Sequence, residues 1–317
     1  LHPTNRRQRQ MCIRDRAGAS HLSKLTNALE NSDLINLPLF STEDSERIPA
    51  EFKNIKDLSK QFSTFDPYEP VMKDVAAYIF TSGTTGLPKA ALVDHAKLVK
   101  GSFAGHFLCF NFKTKDRLYM TLPLYHSTGL VLGWAASLRA GCANIIKPKF
   151  SASEFWSDVK KYKANKFIYV GELCRYLMNL PASETDKSNS IVQISGNGLR
   201  PDIWDSFQKR FNIKKIVEIY GATEAVGMTV NSFGRSGMIG RKRSDSTIIH
   251  CNKDDGSPIL NEQGYCTKIS EGETGLYIQK ISSSAKFQGY LDAQASNKKI
   301  LQNVFNEGDQ YFNTGDL

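Results

Sequence analysis

The stretch that most constrains this chain is Tyr78-Ile79-Phe80-Thr81-Ser82-Gly83-Thr84-Thr85-Gly86-Leu87-Pro88-Lys89. The apolar run from Val75 to Phe80 that leads into it is short enough for one strand of an α/β sheet. The run then breaks into hydroxyls and glycines and ends on a single lysine. Phosphate chemistry accounts for that composition: glycines let backbone N–H groups approach an anion, hydroxyls add donors, and the lysine adds a charge. The Walker pattern is not met, because Gly86 follows Gly83 after only three residues and the lysine comes after Pro88. Taken alone, such a loop is either a phosphate cradle or an ordinary Gly/Thr turn after a strand.

Three further stretches stand in order behind it: Leu122-Pro-Leu-Tyr-His-Ser-Thr-Gly129, Tyr220-Gly-Ala-Thr-Glu224 and Thr314-Gly-Asp316. With the first loop, they resemble the signature motifs of the adenylate-forming enzymes, the superfamily of acyl-CoA synthetases, luciferases and peptide-synthetase adenylation domains. Other strings narrow the resemblance. Tyr169 to Leu177, Gly196 to Trp204, Lys286-Phe-Gln-Gly-Tyr290 and Gly308 to Leu317 are similar to the fatty acid transport protein / very-long-chain acyl-CoA synthetase family. The likeness spans roughly Asp74 to Leu317. It departs from that branch at Tyr220-Gly221, where Tyr-Ala is common, and at Ala225 after the motif glutamate.

The 317 residues are 40% hydrophobic and 23% charged, a globular composition. Net charge is +9, and residues 1–16 hold five arginines against one aspartate. The positive remainder suits ATP, CoA and an anionic membrane; no basic stripe interleaved with aromatics suggests nucleic acid. Residues 1–16 read as a non-native tail, Gln10 to Asp15 looking like translated adaptor sequence, with a basic membrane arm as the other reading. Six scattered cysteines without a C-x-x-C pair point to a reduced compartment and no structural zinc. No run of 18 apolar residues exists that could cross a membrane.

From Val75 onward strands and helices alternate. Asp94 stands as the N-cap of a helix to about Leu108, and strands are expected at Arg117–Thr121, Asn144–Lys147, Lys166–Val170, Ile191–Ser195 and Lys215–Tyr220. Helices fall between them, including Ser153–Tyr162 and Asp202–Phe211. The predicted fold is α/β: mostly parallel sheet covered by helices over 17–226, with a smaller β-rich subdomain over 227–317. Upstream, His21–Leu29 looks helical and Ser41–Ser45 looks like a loop.

The resemblance implies an ATP-dependent ligation of a long- or very-long-chain fatty acid to CoA through an acyl-adenylate. Thr81, Ser82, Gly83, Thr84, Thr85, Gly86 and Lys89 would cradle the β- and γ-phosphates. Glu224 would hold Mg²⁺, as a hard oxygen ligand can, and Thr223 would donate to the α-phosphate. Tyr220, followed by Gly221 and Ala222, would offer a flat face to adenine, with Gly196, Asn197 and Gly198 at its edge, and Asp316 would bind the ribose. His126 would act as a gate between acyl and CoA sites, since an ionised carboxylate needs no base. Leu130–Trp134 and Val226–Met228 are either tunnel walls or ordinary core.

The resemblance further implies a chain truncated at both ends, lacking a mobile C-terminal domain with an adenylation lysine, so that this portion alone is nearly inactive. It implies an intracellular, membrane-associated protein of the endoplasmic reticulum, peroxisome or plasma membrane, bound there through parts outside this sequence. A lipid-uptake protein that binds more than it ligates, or another adenylating enzyme such as a coumarate–CoA ligase, are the competing readings.

Overall fold

The computed structural model describes residues 15–17, 26–27, 39–41, 52–60, 69–81, 88–283 and 285–317. Its contacts divide the chain into two compact units, residues 1–69 and 70–317. In the first unit β1 (Asp15–Ala17), β2 (Leu39–Ser41) and β3 (Phe52–Asn54) form a parallel sheet in that order, and the short helix α1 (Ile55–Ser59) follows. Asp15 and Arg16, set aside above with the tail, thus lie in β1. Of the His21–Leu29 piece only Thr26 and Asn27 are described, and both are helical. Of Ser41–Ser45 only Ser41 is described, and it closes β2.

The second unit opens with β4 (Val75–Thr81) and β5 (Lys89–Asp94), an antiparallel pair with Thr81 opposite Lys89. This corrects the expectation that the apolar run joins the large sheet: β4 pairs with β5 in a separate two-stranded ribbon. Its apolar side chains read alike in either setting, and only the pairing partner distinguishes them. Asp94 does cap α2 (His95–Phe103), its Oδ1 accepting from Lys97 N–H at 2.7 Å. The helix continues as a π-helical stretch, Ala104–Phe110.

Then the alternation begins: β6 (Arg117–Met120), a π-helical stretch Thr128–Ala135 running into α3 (Ala136–Ala140), β7 (Ala143–Ile146), α4 (Ala152–Tyr162), β8 (Lys166–Val170), α5 (Gly171–Met178), β9 (Gln193–Asn197), α6 (Pro201–Arg210), β10 (Lys215–Tyr220) and β11 (Thr229–Asn231). The strands order β11-β10-β9-β8-β6-β7, parallel throughout except for β11. β9 begins two residues later than the sequence suggested.

Helix periodicity explains the packing. Phe155 and Val159 on α4, one turn apart, and Trp204 and Phe207 on α6 turn into the core. Phe155 meets Tyr119 of β6 and Phe167 of β8 edge-on at 5.1 and 4.8 Å. The remaining strands, β12 (Ser246–Ile249), β13 (Leu276–Lys280), β14 (Ile300–Gln302) and β15 (Gln310–Asn313), form an antiparallel sheet ordered β12-β13-β15-β14, with helix α7 (Ala293–Asn297) just before β14. It has its own core around Ile249, Leu276, Ile278 and Val304. No described helix is long and apolar enough to cross a membrane.

Candidate active site

The order of the large sheet places its site. From β6 the chain moves outward to β7, then returns across β6 to β8 and continues the other way to β10. In open parallel sheets such a reversal leaves a crevice outside the carboxyl ends of the strands. The loops after β6 and β10 and the last residue of β9 carry His126, Gly221–Glu224 and Asn197 to that edge, and all of these residues line one cavity of about 810 Å³. Thr81 at the end of β4 reaches the same cavity.

Each loop is held by bonds that no short motif contains. The end of β9 bends at Gly198, whose φ of +80° favours glycine. Gly196 is required for a different reason: a Cβ there would strike the Tyr169 carbonyl. Glu218 of β10, 4% exposed, anchors the bend. Its Oε1 accepts the N–H groups of Gly198 and of Leu199 (3.1 Å), and its Oε2 accepts the Tyr169 hydroxyl at 2.5 Å. Burial raises the Glu218 pKa against these three donors.

The loop after β10 is clamped by Gln279 of β13, whose Oε1 accepts from Val226 and Gly227 N–H at 3.1 Å each and whose Nε2 donates to the Gly227 carbonyl at 3.0 Å. Within that loop Thr223 is buried and its Oγ1 lies 2.9 Å from Ser127 Oγ, joining it to the loop after β6. Glu224 Oε1 accepts the Tyr290 hydroxyl at 2.7 Å. Tyr220, at the end of β10, donates its hydroxyl to Asp316 Oδ2 and lies edge-on to Tyr277 at 5.7 Å. Burial first, then the Asp316 bond, raises the Tyr220 pKa. Asp316 is fixed through its carbonyl, which accepts Tyr277 N–H at 3.0 Å.

At the base of the Gly/Thr loop, Thr81 Oγ1 donates to the Lys89 carbonyl at 3.4 Å, and Lys89 Nζ lies 5.7 Å from the Tyr290 ring centre. Ser82, Gly83, Thr84, Thr85 and Gly86 lie outside the described residues. His126 Nδ1 accepts Thr128 N–H at 3.2 Å, a role open only to an unprotonated nitrogen. Burial likewise lowers its pKa. Of the two candidate tunnel stretches, Val131, Leu132 and Val226–Met228 line the cavity, whereas Trp134 packs against the core.

The sequence reading missed Lys97, which lies in the first turn of α2. Its Nζ donates to the Ala225 carbonyl at 3.1 Å, and burial pulls its pKa down to about 8 despite the Glu224 and Asp94 charges. Ser127, Glu218 and Tyr290 were missed as well. Only Ser127 and Tyr290 stand inside motif stretches, Leu122–Gly129 and Lys286–Tyr290, so a signal existed for those two alone.

The arrangement juxtaposes a lysine-ended loop, a carboxylate, a buried hydroxyl, and an aromatic joined to a second carboxylate. A hard oxygen ligand such as Glu224 fits Mg²⁺, which takes one or two carboxylates and completes its shell with substrate phosphates and water.

The sequence profile of one family, described as AMP-binding enzyme, matches residues 8–273. The mouse (Mus musculus) long-chain fatty acid transport protein 3 is 43% identical over 251 residues, covering 77% of this chain and 37% of that protein. The medium/long-chain-fatty-acid–CoA ligase FadD6 of Mycobacterium tuberculosis is 34% identical over 295 residues, covering 91% of this chain and 49% of that one. This chain therefore spans half or less of the length of these curated relatives. Among solved structures, ATP-bound MatB from Rhodopseudomonas palustris superposes with a TM-score of 0.72 at 19% identity, covering 95% of this chain and 56% of that one. That likeness speaks to the fold.

Proposed function

We infer the function from one premise: the chain belongs to the AMP-binding enzyme family. The protein to which it contributes joins a long- or very-long-chain fatty acid to CoA at the expense of ATP. A fatty carboxylate oxygen attacks the α-phosphorus, the bond from that phosphorus to the bridging oxygen breaks, and pyrophosphate leaves. The CoA thiol then attacks the acyl carbonyl, loses its proton, and AMP departs. Neither step calls for a protein nucleophile, so the chain's work is positioning and charge stabilisation.

In this reading Lys89 and the Thr81–Gly86 loop bind the β- and γ-phosphates. Thr223, oriented by Ser127, donates to the α-phosphate. Tyr220 and the Gly196–Gly198 edge hold adenine beside Gly221 and Ala222, and Asp316 accepts from the ribose hydroxyls. Glu224 holds Mg²⁺, which would neutralise the charge that builds on the departing phosphates. His126, whose pKa burial lowers and whose Nδ1 accepts Thr128 N–H, gates the passage between acyl and CoA sites rather than moving a proton. The division into an α/β part (17–226) and a β-rich part (227–317) of one adenylation domain, with residues 1–16 apart, belongs to the same reading, as does membrane association inside the cell. Asp15 and Arg16 nonetheless pair with β2 as part of β1, and β11 crosses the boundary to pair with β10. The names of the fatty acid transport relatives support a coupling to uptake.

The observation that carries the proposal is the hydrogen bond from Tyr220 to Asp316 across 96 residues. It joins an aromatic face to a ribose-type acceptor at the sheet edge where Thr223 and Glu224 also stand, and a passive lipid binder needs no such pairing. The test is calorimetric titration of the full-length protein with a non-cleavable acyl-sulfamoyl adenosine. It should bind far more tightly than fatty acid or ATP alone, because one molecule spans both sites, and Asp316→Ala should erase much of that gain. Equal affinity for analogue and free fatty acid, unmoved by Asp316→Ala, would sink the ligase reading in favour of a lipid carrier.

A further inference from the structure

Tyr290 sits where the two halves of the site meet. The segment around it runs along β5, the strand that leaves the Gly/Thr loop: Leu92 N–H donates to the Gly289 carbonyl at 3.0 Å, Leu291 N–H to the Ala90 carbonyl at 2.8 Å, and Ala91 faces Tyr290 in an antiparallel bridge. From the other side Ser296 Oγ on α7 accepts Tyr290 N–H at 2.8 Å. The side chain is 6% exposed and packs between Ala91 and Ala295. Two short residues thus set the ring's place, and the ring has little freedom to leave it.

From that seat the one side chain engages two charges of opposite sign. Its hydroxyl donates to Glu224 Oε1 at 2.7 Å, and its face lies 5.7 Å from Lys89 Nζ. Unlike charges in a half-buried cleft attract strongly. A carboxylate and an ammonium that collapsed onto each other would be lost to a metal and a phosphate. A tyrosine between them solves the problem with one residue. The phenol is a donor to the carboxylate and the π face a weak acceptor for the ammonium, so each charge is steadied without being neutralised.

We propose that Tyr290 is a positioning residue, a strut that spaces the loop lysine from the Thr–Glu carboxylate and aims Glu224 at the metal. This rests on the reading of Glu224 as the Mg²⁺ ligand. Tyr290 touches no reacting atom; it acts through Glu224 and Lys89. Because its backbone is bonded to β5, the Glu224 contact is tied to the strand that carries Lys89.

The test uses the full-length protein with Tyr290→Phe and Tyr290→Leu. Tyr290→Phe keeps the ring over Lys89 and removes only the donor to Glu224. The Mg²⁺ concentration giving half-maximal fatty-acid-dependent AMP formation should rise about tenfold, as expected for one lost bond to a charged group. Saturating Mg²⁺ should restore kcat to within about threefold of the parent, the signature of weakened binding rather than damaged chemistry. Tyr290→Leu removes the plate as well and should also raise the KM for ATP. A Mg²⁺ dependence of Tyr290→Phe equal to the parent's overturns the proposal, and so does a loss of kcat that Mg²⁺ does not restore. If the parent makes no AMP with any fatty acid, the ligase reading fails separately. The comparison then runs on calorimetric ATP affinity with and without Mg²⁺. Loss of the metal-dependent gain in Tyr290→Phe supports the strut; a retained gain, or a parent with none, overturns it.

Discussion

Tyr169→Phe is the sharpest probe of how the bend at Gly196–Gly198 is held. The substitution deletes one oxygen and keeps every carbon of a fully buried ring. It therefore leaves the apolar burial intact and removes a single donor from Glu218, which is 4% exposed and bonded to Gly198, Leu199 and Tyr169. A hydrogen bond to a charged group contributes about 1.5–3 kcal/mol, and the orphaned oxygen has no water to turn to, so the loss should be about 2–3 kcal/mol at pH 8. The pH dependence has a definite sign. The phenol donor favours the ionised carboxylate, so its removal raises a Glu218 pKa that burial already raises. The penalty belongs to the ionised form: it is fully present well above the folded pKa and shrinks as pH falls through it. Urea unfolding followed by tryptophan fluorescence reports the right region, since Trp134, Trp156 and Trp204 all pack around the large sheet. A loss below about 0.5 kcal/mol at pH 8, within the range of neutral surface changes, or one that grows on acidification, would refute this account of the Glu218 anchor.

Two further outcomes are expected. Glu224→Gln, which keeps shape but removes the charge, should slow fatty-acid-dependent AMP formation by about a hundredfold at limiting Mg²⁺, with Lys89→Ala weakening ATP binding in parallel; a parental rate for Glu224→Gln would show that Glu224 is not the Mg²⁺ ligand. His126, whose folded pKa lies below its usual 6.5 because of burial, stabilises the fold as the neutral ring above that value, and the contribution is lost as pH falls through the folded pKa. His126→Gln should lack that part of the acid sensitivity, and urea midpoints at pH 7.5 and 5 that fall equally in both proteins would contradict it.

Much of this was legible from residue order alone. Alternation of short apolar runs with 3.6-residue periodicity marks β6 to β10 and the helices between them, because both periods are local properties of the chain. Asp94 announced itself as an N-cap for the same reason: the bond it makes spans three residues. The four motifs placed the candidate residues in order, and of those described, Thr81, His126, Asn197 and Gly221–Glu224 line one cavity.

Other features have no local signal. The run Val75–Thr81 has the same apolar content whether it joins the large sheet or the ribbon with β5, so only the pairing decided its place. Glu218 and Tyr169 read as ordinary strand residues until the parallel register brings β8, β9 and β10 side by side. Tyr290 and Glu224 are 66 residues apart, and Lys97 and Ala225 are 128 apart. A sequence can show which side chains are able to donate, accept or carry charge, because those are properties of single residues. Which of them meet depends on strand order and register, and these are set by the burial of the whole core.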